Sequence, residues 1–223
     1  KTSAIIIGGN NTNWRIVENW INETDGIYTL NSTGIQITRN SMENISFNGI
    51  FIDISKDLLI SKNEIMKTNS GISIRSSELI QVSGNLISKG SFGIDISGSD
   101  CQNISLKNNT IDNITTAIDV WDGPESIHIS ENDIIDSDNG IITNDSREVS
   151  IFNNNLKNYS DWGISLRHTD NCEIKGNHLI SKNQSGIYAI SIVYANFTVV
   201  ENNTLGENNI GIFSWGMNSN DLQ

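Results

Sequence analysis

The 223-residue sequence predicts an all-β fold, a right-handed single-stranded parallel β-helix, and three observations carry that prediction. A Gly-Ile or Ala-Ile step recurs at Gly26, Gly49, Gly71, Gly93, Ala117, Gly140, Gly163, Gly186 and Gly211, at intervals of 22–25 residues. Within each interval the apolar residues fall at i and i+2, the period of a strand, and not at the i, i+3, i+4, i+7 positions of a helix. An asparagine also returns once per interval, at Asn19, Asn40, Asn63, Asn85, Asn109, Asn132, Asn154 and Asn177, and then at Asn202 or Asn203. A unit repeated at this period marks a solenoid, because one unit cannot bury its apolar face alone and a stack can.

Each coil reads in the same order. Gly-Ile-x-Ile gives the first strand, a polar corner follows, and Ile-x-Ile gives the second. A third strand begins after x-x-Asn-x-Ile. In coil five the residues are Ile118 and Val120, then Ile127 and Ile129, then Asn132, then Ile134. Stacked at the usual strand separation of about 4.8 Å, about nine coils build three parallel sheets around a narrow core, and residues 1–223 form a single domain. An inward Asn at a corner bonds main-chain groups and the Asn of the next coil, so the asparagines are expected to form a ladder, a structural role and not a chemical one. The composition agrees. Ile is β-branched and suits strands, Asn and Gly tolerate left-handed corners, and there is one proline, Pro124.

Charge narrows the function classes. The net charge is -12, which disfavours nucleic acid and anionic membrane surfaces, since both are bound through Lys and Arg. No apolar run approaches the roughly 18 residues of a membrane span. The first residues lack the charged start and long apolar core of a secretion signal. Residues 214–223 stop partway through a coil, and no capping helix precedes Lys1. The chain therefore reads as a fragment or subunit of a larger assembly, able to self-associate through uncapped coil ends.

The repeat resembles those of the pectin-lyase-like superfamily. It is most similar to the group of carbohydrate-binding proteins and sugar hydrolases that includes the periplasmic maturation factors of copper-containing nitrous oxide reductase. The resemblance covers almost all the chain and implies the fold. For function it implies only a range: lyases, hydrolases, epimerases, adhesins and non-catalytic scaffolds. The Asp-Pro-His-Glu string of alginate epimerases is absent, as is the Gly-His-Gly with Arg-Ile-Lys of polygalacturonases. Polysaccharide binding is thus expected ahead of catalysis as a lyase, hydrolase or epimerase.

The repeat frame stacks outward side chains into columns. The first reads Tyr28, Phe51, Ser73, Asp95, Asp119, Ile142, Ser165, Tyr188 and Phe213. The second reads Leu30, Asp53, Arg75, Ser97, Trp121, Asn144, Arg167, Ile190 and Trp215, and the following corner carries Asp122, Asp145 and His168. The middle of this face is charged and its ends are aromatic or apolar, as in a sugar-binding groove. Asp95, Asp119, Asp122, Arg167 and His168 are the candidates for catalysis. Trp121, Asn144, Arg75, Asp53 and Asp145 are the candidates for holding the glycan, by stacking and by hydrogen bonds. Asp95 and Asp119 are rung neighbours, so one takes a proton or the two share a calcium ion; no other cofactor is expected. The competing reading is an ordinary hydrophilic face on a structural module such as a sheath, fibre, adhesin stalk or tailspike.

Elsewhere the sequence says less. His128 and His178 fall on different strands without ligand spacing, and Met42, Met66 and Met217 are scattered, so no copper or zinc site is read. Asn-x-Ser/Thr occurs at Asn10, Asn22, Asn31, Asn44, Asn103, Asn108, Asn113, Asn144, Asn158, Asn183, Asn196 and Asn202. These are either glycan acceptors or the by-product of Asn-rich corners. The excess, with the fold, favours a secreted or cell-surface glycoprotein. Cys101 and Cys172 stand three coils apart, too far for a disulfide. Cys172 is expected to be buried, and Cys101 exposed at a corner.

Overall fold

The computed structural model describes residues 3–182, 188–216 and 220–222, and these contain strands and no helix. The chain winds as a right-handed parallel β-helix of about nine coils, each strand pairing in parallel with its equivalent one coil away. Ile27, Ile50, Ile72, Ile94, Ile118, Ile141, Ile164, Ile190 and Ile212 are successive register partners on the first face. All but the last are fully buried. The second face is a ten-stranded sheet. The third joins the first where Glu64–Arg75, Leu86–Ser97 and Thr110–Trp121 run as unbroken 12-residue strands. Two of the three expected sheets are therefore hydrogen-bonded as one, of 16 strands.

The asparagine ladder forms. At Asn109 the backbone N–H and Nδ2 both donate to Asn132 Oδ1 at 3.0 Å, and Nδ2 also donates to the Val82 carbonyl at 3.0 Å. Asn109 Oδ1 in turn accepts from Asn85 N and Nδ2, at 3.0 and 2.9 Å. The same pattern ends at Asn203, which settles the slot left open between Asn202 and Asn203. Each internal rung buries an amide whose donors and acceptor are all used, which is what makes so polar a column tolerable in a core.

Corners come four to a coil, each made by one residue in the left-handed region. One column runs Asp57, Leu79, Asn103, Ser126, Glu148, Asn171 and Phe197; another includes Ile54, Ser76, Asp122, Asp145, His168 and Tyr194. The glycines of the Gly-Ile step do not serve this purpose. They are needed for close approach: a Cβ on Gly71 would stand 2.6 Å from the Gly93 carbonyl oxygen of the next coil.

Three readings change. Gly186 lies outside the described residues, and the register puts Ala189 in its slot, because Ile190 pairs with Ile164 and Ile212. That coil is longer than its neighbours. Ser191 and Val193 therefore replace Tyr188 and Ile190 in the two outward columns. Cys101 is fully buried, not exposed: its N–H bonds the Gly98 carbonyl at 2.9 Å in a tight turn. The turn tucks the thiol into an inward column with Ser32, Ser55, Ser77, Pro124, Ser146, Thr169 and Ala195. Cys172 is buried as expected, and neither cysteine is in a disulfide.

Candidate functional site

The outer side of the first face is the place to look. Its strands each turn three side chains outward, one more than the two columns read from the sequence. The additional column precedes the Gly slot: Asn48, Ser70, Phe92, Thr116, Asn139, Trp162, Tyr188 and Ile210 are register partners. Between this column and the second one lies a groove of about 450 Å³. It is lined from five successive coils, by Thr116 and Asp119, by Asn139, Ile142 and Asn144, by Trp162, Ser165 and Arg167, by Tyr188, Ser191 and Val193, and by Phe213.

The groove has a polar end and an aromatic end. Trp162 and Tyr188 are register neighbours, and the Tyr188 and Phe213 rings lie 5.0 Å apart at 42°, so three rings form a shelf. At the other end stand Asp119, Asn144 and Arg167. Asn139 Nδ2 donates to Thr116 Oγ1 at 3.3 Å, while its buried Oδ1 finds no donor.

Asp95 and Asp119 are rung neighbours, and their surroundings differ. Asp95 accepts from Trp121 Nε1 at 2.8 Å and from Ser73 Oγ at 3.1 Å. Asp119 has no such donor among the described residues; burial first, and the Asp95 charge second, push its pKa up to about 6. Split environments of this kind separate a proton holder from its neighbour. The Asp95 bond also fixes the indole of Trp121, which is exposed and is not among the residues lining the groove. A calcium ion takes six to eight oxygen ligands. Both Asp95 oxygens are engaged, and no group of three or more His, Cys, Asp or Glu that could hold a metal occurs among the described residues.

The other candidates are dispersed. Asp53 and Arg75 are register partners at the far end of the face, where the Arg75 guanidinium sits 5.6 Å from the centre of the Phe51 ring. Asp122, Asp145 and His168 are left-handed corner residues, turned off the face. Asp145 and His168 line a separate hollow of about 530 Å³, with His168 Nδ1 3.5 Å from Asp145 Oδ1 and the imidazole stacked on Tyr194. A third hollow, of about 490 Å³, lies on the second face beside His128, Glu148 and Glu173. Of these three hollows among the described residues, the first-face groove is favoured because it joins an aromatic shelf to a cation and a carboxyl. Trp162 was missed by the sequence reading, which began its columns after the Gly step; the alternation Asn139-x-Ile141, Trp162-x-Ile164 was the available signal.

Comparison with known proteins bears on this geometry. A family model described as "Periplasmic copper-binding protein (NosD)" matches residues 2–162 and, overlapping, 98–223. No curated protein matches the chain. A Yersinia enterocolitica family 28 exopolygalacturonase superposes with a TM-score of 0.63 at 11% identity, over 86% of this chain and 46% of that one. The tailspike of E. coli bacteriophage HK620, solved with a pentasaccharide, gives 0.67 at 11% identity, over 96% and 47%. A periplasmic alginate epimerase gives 0.63 at 12% identity, over 94% and 76%. The chain spans about half the length of the first two. At these identities the likeness is one of fold.

The copper in the family's description can be tested against the donors present. Cys101 and Cys172 are buried, and burial raises both thiols, Cys172 to about 12, so neither offers a thiolate. Met42 is in the core, Met66 is partly exposed on the Glu64–Arg75 strand with Glu43 and Ser88 as rung partners, and Met217 lies outside the described residues. His128 is on the second face, His168 at a corner and His178 at the start of a third-face strand. Among the described residues these donors do not come together as a copper centre.

Proposed function

The chain belongs to the periplasmic copper-binding protein (NosD) family, and from that premise we propose that it is a glycan-binding β-helix acting outside the cytoplasm, in the periplasm or beyond it. The observation that carries the reading is the first-face groove, with Trp162, Tyr188 and Phe213 as its shelf and Asp119, Asn144 and Arg167 at its polar end. Aromatic rings stack on the apolar faces of sugars while the polar groups take hydroxyls. The groove follows the helix axis, and its coil repeat of about 4.8 Å is close to the length of one pyranose ring. An extended oligosaccharide can therefore present about one sugar to each coil. Binding is proposed ahead of turnover, because only Asp119 of the carboxyl pair lines the groove.

The test is a glycan array followed by calorimetry on the ligands it finds. Trp162→Ala should weaken binding by about 1 kcal/mol or more and leave the melting temperature within a few degrees of wild type. Absence of any glycan ligand would favour the alternative, a non-catalytic structural module such as a stalk or fibre. Release of reducing ends or unsaturated uronates would add catalysis to binding.

A further inference from the structure

We propose that the groove is selective for an anionic glycan, one bearing carboxylate or sulfate groups, and that Arg167 is the residue that reads the negative charge. The inference rests on the glycan-binding reading and adds a substrate class to it.

Six of the fourteen Lys and Arg side chains are ion-paired between coils among the described residues. Arg39 is paired with Glu18, Lys56 with Glu78, Lys67 with Glu43, Lys107 with Glu131, Arg147 with Glu125, and Lys175 with Glu201, each across adjacent coils at 2.6–3.6 Å. With a net charge of -12, carboxylates are abundant enough to neutralise every cation. Arg167 lies outside that set, as do Arg15, Lys62, Arg75, Lys89 and Lys157, and it differs from them in lining the groove. Its rung neighbours are Asn144 and Val193, and among the described residues it has no ion pair. It is exposed, and it is the only basic side chain lining the groove.

A guanidinium presents a planar fork of donors that matches a carboxylate or a sulfate and is poorly matched by a single hydroxyl. Asn144 beside it adds an amide able to donate to the same group. The aromatic shelf would hold the neighbouring sugars by their faces, leaving charge to be read at one coil. Selectivity of this kind survives in a net-negative protein because it depends on one local cation held against the ligand; the overall field sets the association rate and its salt dependence.

The experiment measures, by calorimetry, the affinity of oligogalacturonate, its fully methyl-esterified form, sulfated dextran oligomers and plain dextran oligomers, for wild type, Arg167→Gln and Trp162→Ala. An anionic ligand should bind wild type about tenfold or more tighter than its uncharged counterpart. Arg167→Gln should weaken the anionic ligand about tenfold or more and the uncharged one far less. Preference for the ester pair assigns the group to a carboxylate; preference for the dextran pair assigns it to a sulfate. Equal binding of charged and uncharged forms, or equal weakening of both by Arg167→Gln, overturns the anionic inference while the groove reading stands on Trp162→Ala. Binding of neither pair, or binding that Trp162→Ala leaves untouched, overturns both.

Discussion

Asp119 sits half-buried on the first face beside Asp95, and burial more than charge raises its pKa to about 6. A carboxyl raised above its unfolded value prefers to be protonated in the folded state. The stability it contributes is therefore present at low pH and lost as pH rises through about 6. Asp119→Asn should remove that loss, raising stability at neutral pH by about 1 kcal/mol once solvent screening is allowed for, and flattening the melting temperature between pH 4 and 6. A lower melting temperature at neutral pH, with the slope intact, would contradict the assignment. Repeating the wild-type melts with EDTA separates the two ways of relieving the pair, because a shared calcium ion makes the protein chelator-sensitive and a proton does not. At this scale the sequence was legible wherever the repeat kept its spacing. Asp95, Asp119, Trp121, Asn144 and Arg167 all occupy their expected columns. Tyr188 and Ile190 do not, because residues added before Ala189 shift the frame, and strand periodicity cannot show where added residues are absorbed. Cys101 was misplaced for a related reason: a local turn, invisible to the i, i+2 pattern, decides which way it points.

The elements are held by two devices of different kinds, apolar columns and the asparagine ladder. The ladder makes the sharper prediction. Asn109→Leu preserves the approximate volume but leaves the Asn85 N–H without its acceptor and removes one bond each from Asn85 Nδ2, the Val82 carbonyl and Asn132 Oδ1, the last of which keeps the backbone N–H of residue 109. An orphaned buried group costs about 1–3 kcal/mol and the lost bonds add to it, so a loss of about 3 kcal/mol or more is expected in urea denaturation. A loss below about 1 kcal/mol would mean that the ladder fills space and does little else. The corners explain the Asn-x-Ser/Thr excess without invoking glycans. Asn10, Asn31, Asn44, Asn103, Asn108, Asn113, Asn158 and Asn202 all lie at positive φ, the conformation that asparagine tolerates best after glycine. Asn183 lies outside the described residues. The sequence could show that asparagine was favoured but not which backbone region favoured it.

For the whole molecule, stacking sets both stability and function. Each coil contacts its neighbours, so the groove exists only because five successive coils stack, with Thr116, Asn139, Trp162 and Tyr188 in one column and Phe213 in the next. That alignment was legible as a fold and only partly as a site, since the repeat fixes every coil alike while the site depends on where individual coils depart from it. The location of binding is the central claim. It is tested most directly by calorimetric titration of one glycan ligand against wild type, Trp162→Ala on the first face and His128→Ala beside the hollow on the second. The account predicts weakened binding for Trp162→Ala and wild-type affinity for His128→Ala; weakened binding for His128→Ala with Trp162→Ala unchanged would contradict it.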